Sequence, residues 1–474
     1  MSAYGSVTPA LIDTLRAVVG PDHVLTDPEE LAVLGRDFTE DLQGRPDVAV
    51  APGCTAEVAE VLRLASRERV PVVARGGGTG LSGGAVPLEG GIVLSTRRMN
   101  RILEIDRENL FAVVQPGVIT QTLQDAVEEF GLFYPPDPAS KGSCAIGGNV
   151  AECAGGPRCV KYGITRDYVT GLEAVLPSGE VLRVGGKLLK DVTGYDLVGL
   201  LVGSEGTLAV VTEVTLKLIP LPRRVRTLMA PFPSLEAAAS AVGGIFQAGI
   251  VPSCCELLAR AALRVAEEHV GRNFPNEVRE AEATLLLEVD GQREEDVDRD
   301  AMALGELCLQ LGADDVLLAQ SPAHARELWA IRRAMGEAVK AQGPYREYDV
   351  SVPRARIPEA LRAIDEVTAR HGVRHLSYGH AGDGNLHVNV LRDGLSPERW
   401  EAVLAACGPE IIRRIVALGG TISGEHGIGC VQRELMPLRL GPAELRLCRA
   451  IKQAFDPQGI LNPGKLLPDE APAS

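Results

Sequence analysis

The chain has 474 residues, of which 45% are hydrophobic and 23% are charged, and its formal net charge is −15. This composition is that of a globular protein and excludes a disordered, collagen-like or coiled-coil chain, while the length favours two domains. The negative charge makes nucleic acid an unfavourable partner, because phosphate backbones repel it.

The first 20 residues lack the basic start and apolar core of a signal peptide. No apolar run approaches the roughly 18 residues of a membrane span. The ten cysteines predict reduced thiols, and none shows C-x-x-C or iron–sulfur spacing. We therefore expect a cytoplasmic protein whose contact with a membrane, where there is one, is made through partner subunits.

The predicted elements begin with a helical segment over residues 1–45. Strands at 47–51 and 70–74 then surround a helix that begins at Thr55. The first half continues with strands at 91–95, 102–105 and 110–115, a helix over 120–130, a hairpin over 169–184 and a long strand over 208–219. Pro220-Leu221-Pro222 marks the predicted end of this domain, which spans 46–222.

Strands and amphipathic helices alternate after Arg224. The predicted strands are 227–230, 283–289, 315–319, 346–352, 375–380 and 386–390. This pattern favours an α+β domain over 223–467, an antiparallel sheet with helices on one face, followed by a tail over 468–474.

Three glycine-rich stretches in the first domain predict a ligand held by backbone. The first, 75–84, satisfies G-x-G-x-x-G, but no helix follows it, which excludes a Rossmann dinucleotide site. Glycines still allow successive N–H groups to close around phosphate oxygens. A single loop of this kind is more often a structural turn. Two further stretches, 146–156 and 203–208, favour a long, flat, phosphate-bearing ligand.

Two motifs near the C-terminus gather histidines, His380-x6-His387 and Glu425-His426. The first is predicted as strand, tight turn and strand, which brings His380 beside His387 and places Asn389 on the same side as His387. Two imidazoles and a carboxylate suit a divalent cation with positions left open for substrate. The alternative is that these histidines cap turns or satisfy hydrogen bonds in the core.

Taken in order, these stretches resemble the FAD-binding domain (PCMH type) of the vanillyl-alcohol oxidase superfamily. Residues 190–196, KDVTGYD, and 203–207, GSEGT, resemble its branch of FAD-linked D-2-hydroxy-acid dehydrogenases, and most of all the catalytic flavin subunits of bacterial glycolate oxidases. The likeness runs from about Pro46 to Leu467. It implies an α+β fold in which an FAD-binding domain precedes a substrate domain with an antiparallel sheet.

The resemblance implies a set of residues for FAD. Those expected to wrap the pyrophosphate are Arg75, Gly76, Gly77, Gly78, Thr79, Gly80, Ser82, Gly83 and Gly84. Those expected along the isoalloxazine and ribityl groups are Pro138, Ser140, Gly147, Gly148 and Asn149, supported by Gly155, Gly156, Tyr162 and Gly163. Glu205 and Gly206 are expected near the adenine or diphosphate, and Asn462 at the flavin. No histidine occurs between His23 and His269, so we expect non-covalent FAD.

The resemblance also implies catalytic roles. His380, His387 and Glu425 are expected to bind a divalent metal, Zn or Mn, with His426 as the base. Oxidising an alcohol removes a hydride, which suits flavin N5, and a proton, which suits a histidine. Trp329-x-x-Arg332 resembles the family's W-x-x-R, so Arg332 is the candidate for the substrate carboxylate, and Asn389 joins the catalytic group. The alternative for Arg332 is an exposed helix arginine beside Arg333.

The function that follows is oxidation of glycolate or D-lactate to the 2-oxo acid. Glu347 stands where some relatives that take dicarboxylates have Lys, which favours a monocarboxylate. The alternatives are a D-2-hydroxyglutarate-type dehydrogenase, a non-catalytic flavin-binding subunit and a metal-dependent hydrolase. Because cluster-type cysteines are missing, iron–sulfur and second flavin subunits are the expected electron acceptors. Two departures from the family, Cys153 and the stretch 255–259, are assigned no chemical role.

Overall fold

The computed structural model of the chain describes residues 4–469, so most of the predicted tail lies outside the described residues. The α-helices of this range, α1 to α16 in chain order, are Pro9–Val19, Pro28–Leu34, Thr55–Glu68, Thr120–Glu128, Ile146–Glu152, Cys159–Tyr162, Leu197–Leu201, Leu235–Gln247, Arg260–Val270, Asn276–Glu280, Glu294–Gln310, Pro322–Arg333, Met335–Lys340, Ile357–His371, Pro397–Ala417 and Pro442–Phe455. Within the described residues, no helix combines the length and apolarity needed to cross a membrane.

The β-strands of the same range are named β1 to β18 in chain order. They are Val24–Leu25, Val48–Val50, Val72–Arg75, Ile92–Ser95, Ile102–Asp106, Phe111–Val114, Leu132–Phe133, Val169–Val175, Val181–Gly185, Val210–Lys217, Ile219–Pro220, Arg224–Phe232, Cys254–Ala259, Ala283–Gly291, Leu317–Leu318, Tyr345–Ser351, His375–Gly379 and Asn385–Leu391. The mixture of helices with antiparallel sheets confirms the predicted α+β class.

The chain folds into two compact units that are not continuous in sequence. Among the described residues, the first unit comprises 4–154, 164–221 and 425–469, and the second comprises 155–163 and 222–424. One division falls after Leu221, one residue before the predicted end of the first domain at Pro222. The segments 155–163 and 425–467 group differently from the linear division predicted by the sequence. The N-terminal helix α1 is part of the first unit, since its Leu11, Leu15 and Val19 share a core with α3.

The first unit contains a small mixed sheet and a larger antiparallel sheet. In the mixed sheet, ordered β1-β2-β4-β3, strands β2 and β3 both run parallel to β4, which requires the crossover helix α3 between them. Helix α3 buries the apolar stripe Val58, Val61, Leu62 and Ala65. The larger sheet has the order β5-β6-β10-β8-β9 and contains the predicted hairpin β8–β9.

The second glycine-rich stretch forms a helix and not a loop, so the prediction of three glycine-rich loops is wrong at this position. Helix α5 begins at Ile146 and contains both Gly147 and Gly148. A Cβ on Gly147 would come within 3.0 Å of the Pro116 carbonyl oxygen. The glycine therefore lets the helix pack directly on the preceding chain.

The second unit is built on a seven-stranded antiparallel sheet of order β15-β12-β14-β13-β17-β18-β16. Neighbouring residues of β14 point to opposite faces, yet its first seven residues are all buried. Leu286 packs in a core with helices α9, α12 and α13, whereas Leu228, paired with Leu287, lies on the side of α11. Helices therefore cover both faces, and the prediction that they lie on one face is wrong.

Candidate functional site

The first glycine stretch leaves strand β3 and forms an irregular loop without a following helix, as the sequence predicts. Gly78 and Gly83 have φ angles of +68° and +78°, which favour glycine. A Cβ on Gly80 would meet nothing nearer than Asp37 Oδ2 at 3.8 Å, and one on Gly148 would meet nothing within 4 Å. The buried Ser82 hydroxyl has no hydrogen-bond partner among the described residues. Open backbone beside an unsatisfied donor fits a phosphate-bearing cofactor such as FAD.

Asn462 joins the first and third glycine stretches. Its side-chain amide donates to the carbonyl oxygens of Gly84 at 2.9 Å and Glu205 at 2.8 Å. Its backbone N–H donates to the Val72 carbonyl oxygen at 2.8 Å. Gly206 lies beside it, since a Cβ there would be 4.0 Å from the Asn462 amide nitrogen. Three regions predicted to contact FAD are thus brought together within the first unit.

Glu205 has partners that the sequence did not predict. Its carboxylate accepts hydrogen bonds from the backbone N–H groups of Ile428 at 2.8 Å and Gly429 at 2.7 Å. The side chain is buried, and its backbone is left-handed, with φ of +52°. Both carboxylate oxygens are therefore committed to the segment that follows His426. Contact of Glu205 with the adenine or diphosphate stays a prediction.

A second buried acid, Glu152 at the end of α5, lies next to Glu205. Its Oε2 atom has no hydrogen-bond partner among the described residues. Burial and the neighbouring Glu205 carboxylate raise the pKa of Glu152 well above its ordinary value, and only Lys465 opposes them. Burial therefore favours the protonated form of Glu152 more than it does in an exposed glutamate. The sequence gave no reason to single it out.

The remaining residues predicted for FAD have mixed surroundings. Pro138 and Ser140 form a partly exposed turn whose carbonyl oxygens accept N–H bonds from Lys141 and Cys144. Asn149 is buried and its amide donates to Thr120 Oγ1 at 2.6 Å. Arg75 donates to the Arg36 carbonyl oxygen at 2.6 Å, and burial lowers its pKa.

The segment 155–163 belongs to the second unit and not to the unit that holds the glycine loop. It contains Gly155, Gly156, Tyr162 and Gly163, which were all predicted to support FAD binding. The Tyr162 hydroxyl donates to Asp290 Oδ2 at 2.7 Å, and Lys161 also pairs with Asp290. These contacts fasten the segment to strand β14.

The polar residues of the second unit share one face of its sheet. Adjacent strands pair Leu258 with Tyr378, Tyr378 with His387, and His387 with Asp349. Directly paired residues lie on the same face, and so do residues two apart on a strand. Glu256, His380, Asn389 and Glu347 therefore lie on this face as well.

His380 and His387 lie side by side, as the strand–turn–strand prediction requires. Their ring centroids are 5.1 Å apart and their planes are nearly perpendicular. Both side chains are buried. The turn between them needs glycine at 384, where φ is +87° and a Cβ would overlap the Val352 carbonyl oxygen. Two neighbouring imidazoles with carboxylates nearby are a donor set that suits Zn²⁺ or Mn²⁺.

Arg332 is 5% exposed, so the alternative of an exposed helix arginine is wrong. Its Nε donates to Glu256 Oε2 at 2.8 Å, and its guanidinium carbon lies 5.1 Å from the Tyr378 ring centroid. Asn389, also buried, donates to the Leu376 carbonyl oxygen at 3.3 Å. Arg332 is therefore held rigidly, by a carboxylate that sequence analysis left without a role.

Asp349 on β16 was not predicted and connects several parts of this face. It accepts hydrogen bonds from the Asn385 amide at 2.7 Å, the Ser423 hydroxyl at 2.9 Å and the Gly424 N–H at 3.0 Å. His387 Nδ1 lies 3.6 Å from Asp349 Oδ1 and 3.3 Å from Glu347 Oε1. The position could have been found from sequence only by recognising that it pairs with His387 in the sheet.

Glu425 and His426 follow Gly424 directly in the chain and open the last segment of the first unit. His426 Nε2 lies 3.8 Å from Glu425 Oε1. Both side chains are largely but not fully buried, with 19% and 15% of their surfaces exposed. Such groups remain reachable by a small molecule while being partly shielded from water.

Comparison with known protein families gives matches over most of the chain. Residues 46–185 match the FAD binding domain family, and residues 221–466 match the C-terminal domain of FAD linked oxidases. The chain belongs to the FAD-linked oxidases. The resemblance drawn from the glycine stretches and the C-terminal motifs is thereby confirmed.

Full-length relatives carry three related names. The chain is 43% identical over 466 residues to the glycolate oxidase subunit GlcD of Bacillus subtilis, with 98% of each chain covered. It is 39% identical to D-lactate dehydrogenase of Anaerostipes hadrus, with 98% of each covered. It is 35% identical to D-2-hydroxyglutarate dehydrogenase of Stutzerimonas stutzeri, covering 97% of this chain and 99% of the relative.

Solved structures of this family's fold confirm the predicted PCMH type. The structure of p-cresol methylhydroxylase matches with a TM-score of 0.80 at 19% identity, and 97% of each chain is covered. The structure of 4-ethylphenol oxidase from Gulosibacter chungangensis matches with a TM-score of 0.78 at 21% identity, and 98% of each is covered. At these identities the likeness concerns the fold alone.

Proposed function

We propose that this protein uses FAD to oxidise a small 2-hydroxy acid, glycolate or D-lactate, to the 2-oxo acid. The observation that carries the proposal is the sheet face of the second unit. A guanidinium, two imidazoles and an amide converge there, from Arg332, His380, His387 and Asn389, in a chain that belongs to the FAD-linked oxidases. The names glycolate oxidase subunit and D-lactate dehydrogenase among full-length relatives support the same substrate class.

Each residue of the proposed site has a role that fits the chemistry of its side chain. Arg332 binds the substrate carboxylate, because a guanidinium offers paired donors to two oxygens. Asn389 helps to orient the substrate, and His426 takes the hydroxyl proton. FAD, when bound, supplies the acceptor for the hydride that leaves the α-carbon. The loop 75–84, Gly148, Gly206 and Asn462 are the residues we propose to hold it, without a covalent bond.

A divalent cation, Zn²⁺ or Mn²⁺, is part of the proposal. His380 and His387 have neighbouring rings, and Glu425 follows Gly424, which is bonded to Asp349 on the same sheet face. We propose that these three residues bind the cation. Such an ion lowers the pKa of a bound hydroxyl group and fixes its orientation.

A monocarboxylate is the favoured substrate because of Glu347. Its carboxylate lies 3.3 Å from His387 Nδ1, so a second substrate carboxylate beside His387 would meet a like charge. The relative named D-2-hydroxyglutarate dehydrogenase makes 2-hydroxyglutarate the second candidate. It differs from lactate in carrying that second carboxylate.

Electrons are proposed to leave to a partner subunit with iron–sulfur clusters or a second flavin. Relatives are named subunits of glycolate oxidase, and this chain has no cluster-type cysteine spacing. A purely flavin-binding, non-catalytic subunit would not need the buried Arg332 and paired histidines that are present here.

Anaerobic reduction of the bound flavin by a substrate panel tests the proposal. Glycolate and D-lactate should bleach the visible absorbance of the flavin faster than L-lactate or D-2-hydroxyglutarate, because reduction of the flavin follows hydride transfer from the substrate. Faster bleaching by D-2-hydroxyglutarate would select the second candidate. No bleaching by any 2-hydroxy acid would overturn the proposal.

A further inference from the structure

Glu256 on strand β13 is an entirely buried carboxylate that contacts two candidate catalytic residues at once. Its side chain is 0% exposed. Oε2 accepts a hydrogen bond from Arg332 Nε at 2.8 Å, and the terminal guanidinium nitrogen Nη2 also pairs with it. His380 Nδ1 lies 2.8 Å from Oε1 and 2.9 Å from Oε2. One acid therefore joins α12 to the turn after β17.

Two hydrogen-bond donors from different elements surround this buried acid. Arg332 reaches it through Nε and Nη2, and His380 Nδ1 lies within hydrogen-bond distance of both carboxylate oxygens. A buried carboxylate is costly unless it is paired and hydrogen-bonded. Replacing a buried ion pair by apolar residues is often neutral or stabilising, so stability alone does not explain the acid.

The contact with Glu256 orients the His380 ring. Nδ1 faces the carboxylate, so the other ring nitrogen, Nε2, is directed away from Glu256. A carboxylate behind a metal-binding histidine commonly fixes the ring in this way. The same carboxylate holds the guanidinium of Arg332 on one edge, while the Tyr378 ring lies against it. The edge of the Arg332 guanidinium that faces away from Glu256 is then fixed in direction.

We propose that Glu256 is the positioning residue that aligns Arg332 and His380 together, so that the substrate carboxylate and the cation are bound in one fixed geometry. The inference rests on the proposed function. It goes beyond that function by assigning the orientation of both groups to one residue that contacts neither substrate nor cation.

A matched control exists on the neighbouring strand. Glu288 on β14 is also a buried acid, and its Oε1 accepts hydrogen bonds from Trp329 of α12 and from Thr227. It shares burial, charge and attachment to helix α12 with Glu256. Its hydrogen bonds go to Thr227, Cys254 and Trp329, so Glu288→Gln separates a structural role from a positioning role.

The experiment compares the wild type, Glu256→Gln and Glu288→Gln as FAD-loaded proteins. The first readout is the affinity for Co²⁺ alone, followed by its visible absorption, which requires no turnover. Glu256→Gln should bind Co²⁺ about 10–100-fold more weakly, the usual effect of losing a carboxylate behind a metal-bound histidine. Glu288→Gln should bind it as the wild type does. The second readout is KM against kcat for glycolate, and KM should rise in Glu256→Gln because Arg332 loses its support.

The outcomes separate this inference from the proposed function. If the wild type does not reduce its flavin with any 2-hydroxy acid, the proposed function fails, and Co²⁺ affinity still judges Glu256. If Glu256→Gln binds Co²⁺ as tightly as Glu288→Gln, or if the wild type binds none, the inference is overturned. If Glu256→Gln does not fold, Glu256→Asp is used in its place. Aspartate keeps the carboxylate charge, but its side chain is one methylene shorter, so the carboxylate lies farther from Arg332 and His380. Unchanged Co²⁺ affinity in Glu256→Asp would then overturn the inference.

Discussion

Glu205 accepts a hydrogen bond from the backbone N–H of Gly429 at 2.7 Å, although 224 residues separate the two in the chain. The backbone N–H of Ile428 donates a second hydrogen bond to the other carboxylate oxygen. Ile428, the first of these two donors, lies two positions after His426. Glu205 thus lies in the flavin-binding part of the sequence and fixes the chain beside the proposed base.

Glu205→Gln should impair turnover more than FAD binding. The amide nitrogen of Gln would face one of the two backbone N–H groups, so one of these bonds is replaced by a contact between two donors. Loss of a buried hydrogen bond to a charged group costs about 1.5–3 kcal/mol of stability. FAD content should remain near the wild-type level while kcat falls. Loss of FAD with normal kcat in the remaining holoenzyme would instead support the predicted contact with adenine or diphosphate.

Glu152→Gln should stabilise the apoprotein, and increasingly so as the pH rises. The pKa of Glu152 is raised in the folded state by burial and by Glu205, so its favourable contribution is full below the unfolded pKa and is lost as the pH rises through the folded pKa. Gln stays neutral throughout. Each unit of pKa difference is worth about 1.4 kcal/mol. Melting temperatures from pH 5 to 9 test this, and a constant difference between variant and wild type would contradict it.

Acid precipitation should release yellow FAD into the supernatant. No histidine occurs between His23 and His269, which leaves the glycine loop without the residue that carries covalent flavin in some members of the superfamily. The open backbone at Gly80 and Gly148 fits a cofactor held by N–H groups. Flavin fluorescence that stays with the denatured chain would show a covalent bond and contradict this expectation.

Replacing His380 or His387 with Ala should lower metal content and weaken substrate binding. Their rings are 5.1 Å apart, so one cation can reach both. Elemental analysis of the purified variants measures the metal, and glycolate KM measures the substrate. His375→Ala is the control. His375 is the first residue of β17, the strand before the turn, but its ring bonds to Asp365 and Ser377. Equal metal content in all three variants would exclude the proposed cation site.

Local patterns in the sequence were enough to predict much of this fold. The period of α3, the hairpin β8–β9 and the turn between His380 and His387 depend on neighbouring residues, and each was predicted from them. The sequence did not predict that helices cover both faces of the seven-stranded sheet. The residues of a fully buried strand such as β14 are apolar on both sides, so they do not show which elements pack on each face.

The supporting acids were missed for another reason. Glu256 meets Arg332 across 76 residues and His380 across 124, and Asp349 meets Ser423 across 74. Such pairs are created by sheet order, which the sequence pattern did not provide. The second glycine stretch was wrongly predicted as a loop because Gly147 allows a helix to pack closely on the preceding chain and does not form a turn.

The central claim is that the protein oxidises a 2-hydroxy acid with His426 as base, and anaerobic single-turnover flavin reduction in His426→Ala tests it most directly. FAD content and melting temperature should match those of His371→Ala, a control whose histidine pairs with Glu410 on the surface of the second unit. The rate of flavin reduction by glycolate or D-lactate should fall by about 10²–10⁴-fold in His426→Ala only, the usual worth of a positioned base. Flavin reduction at the wild-type rate would contradict the account.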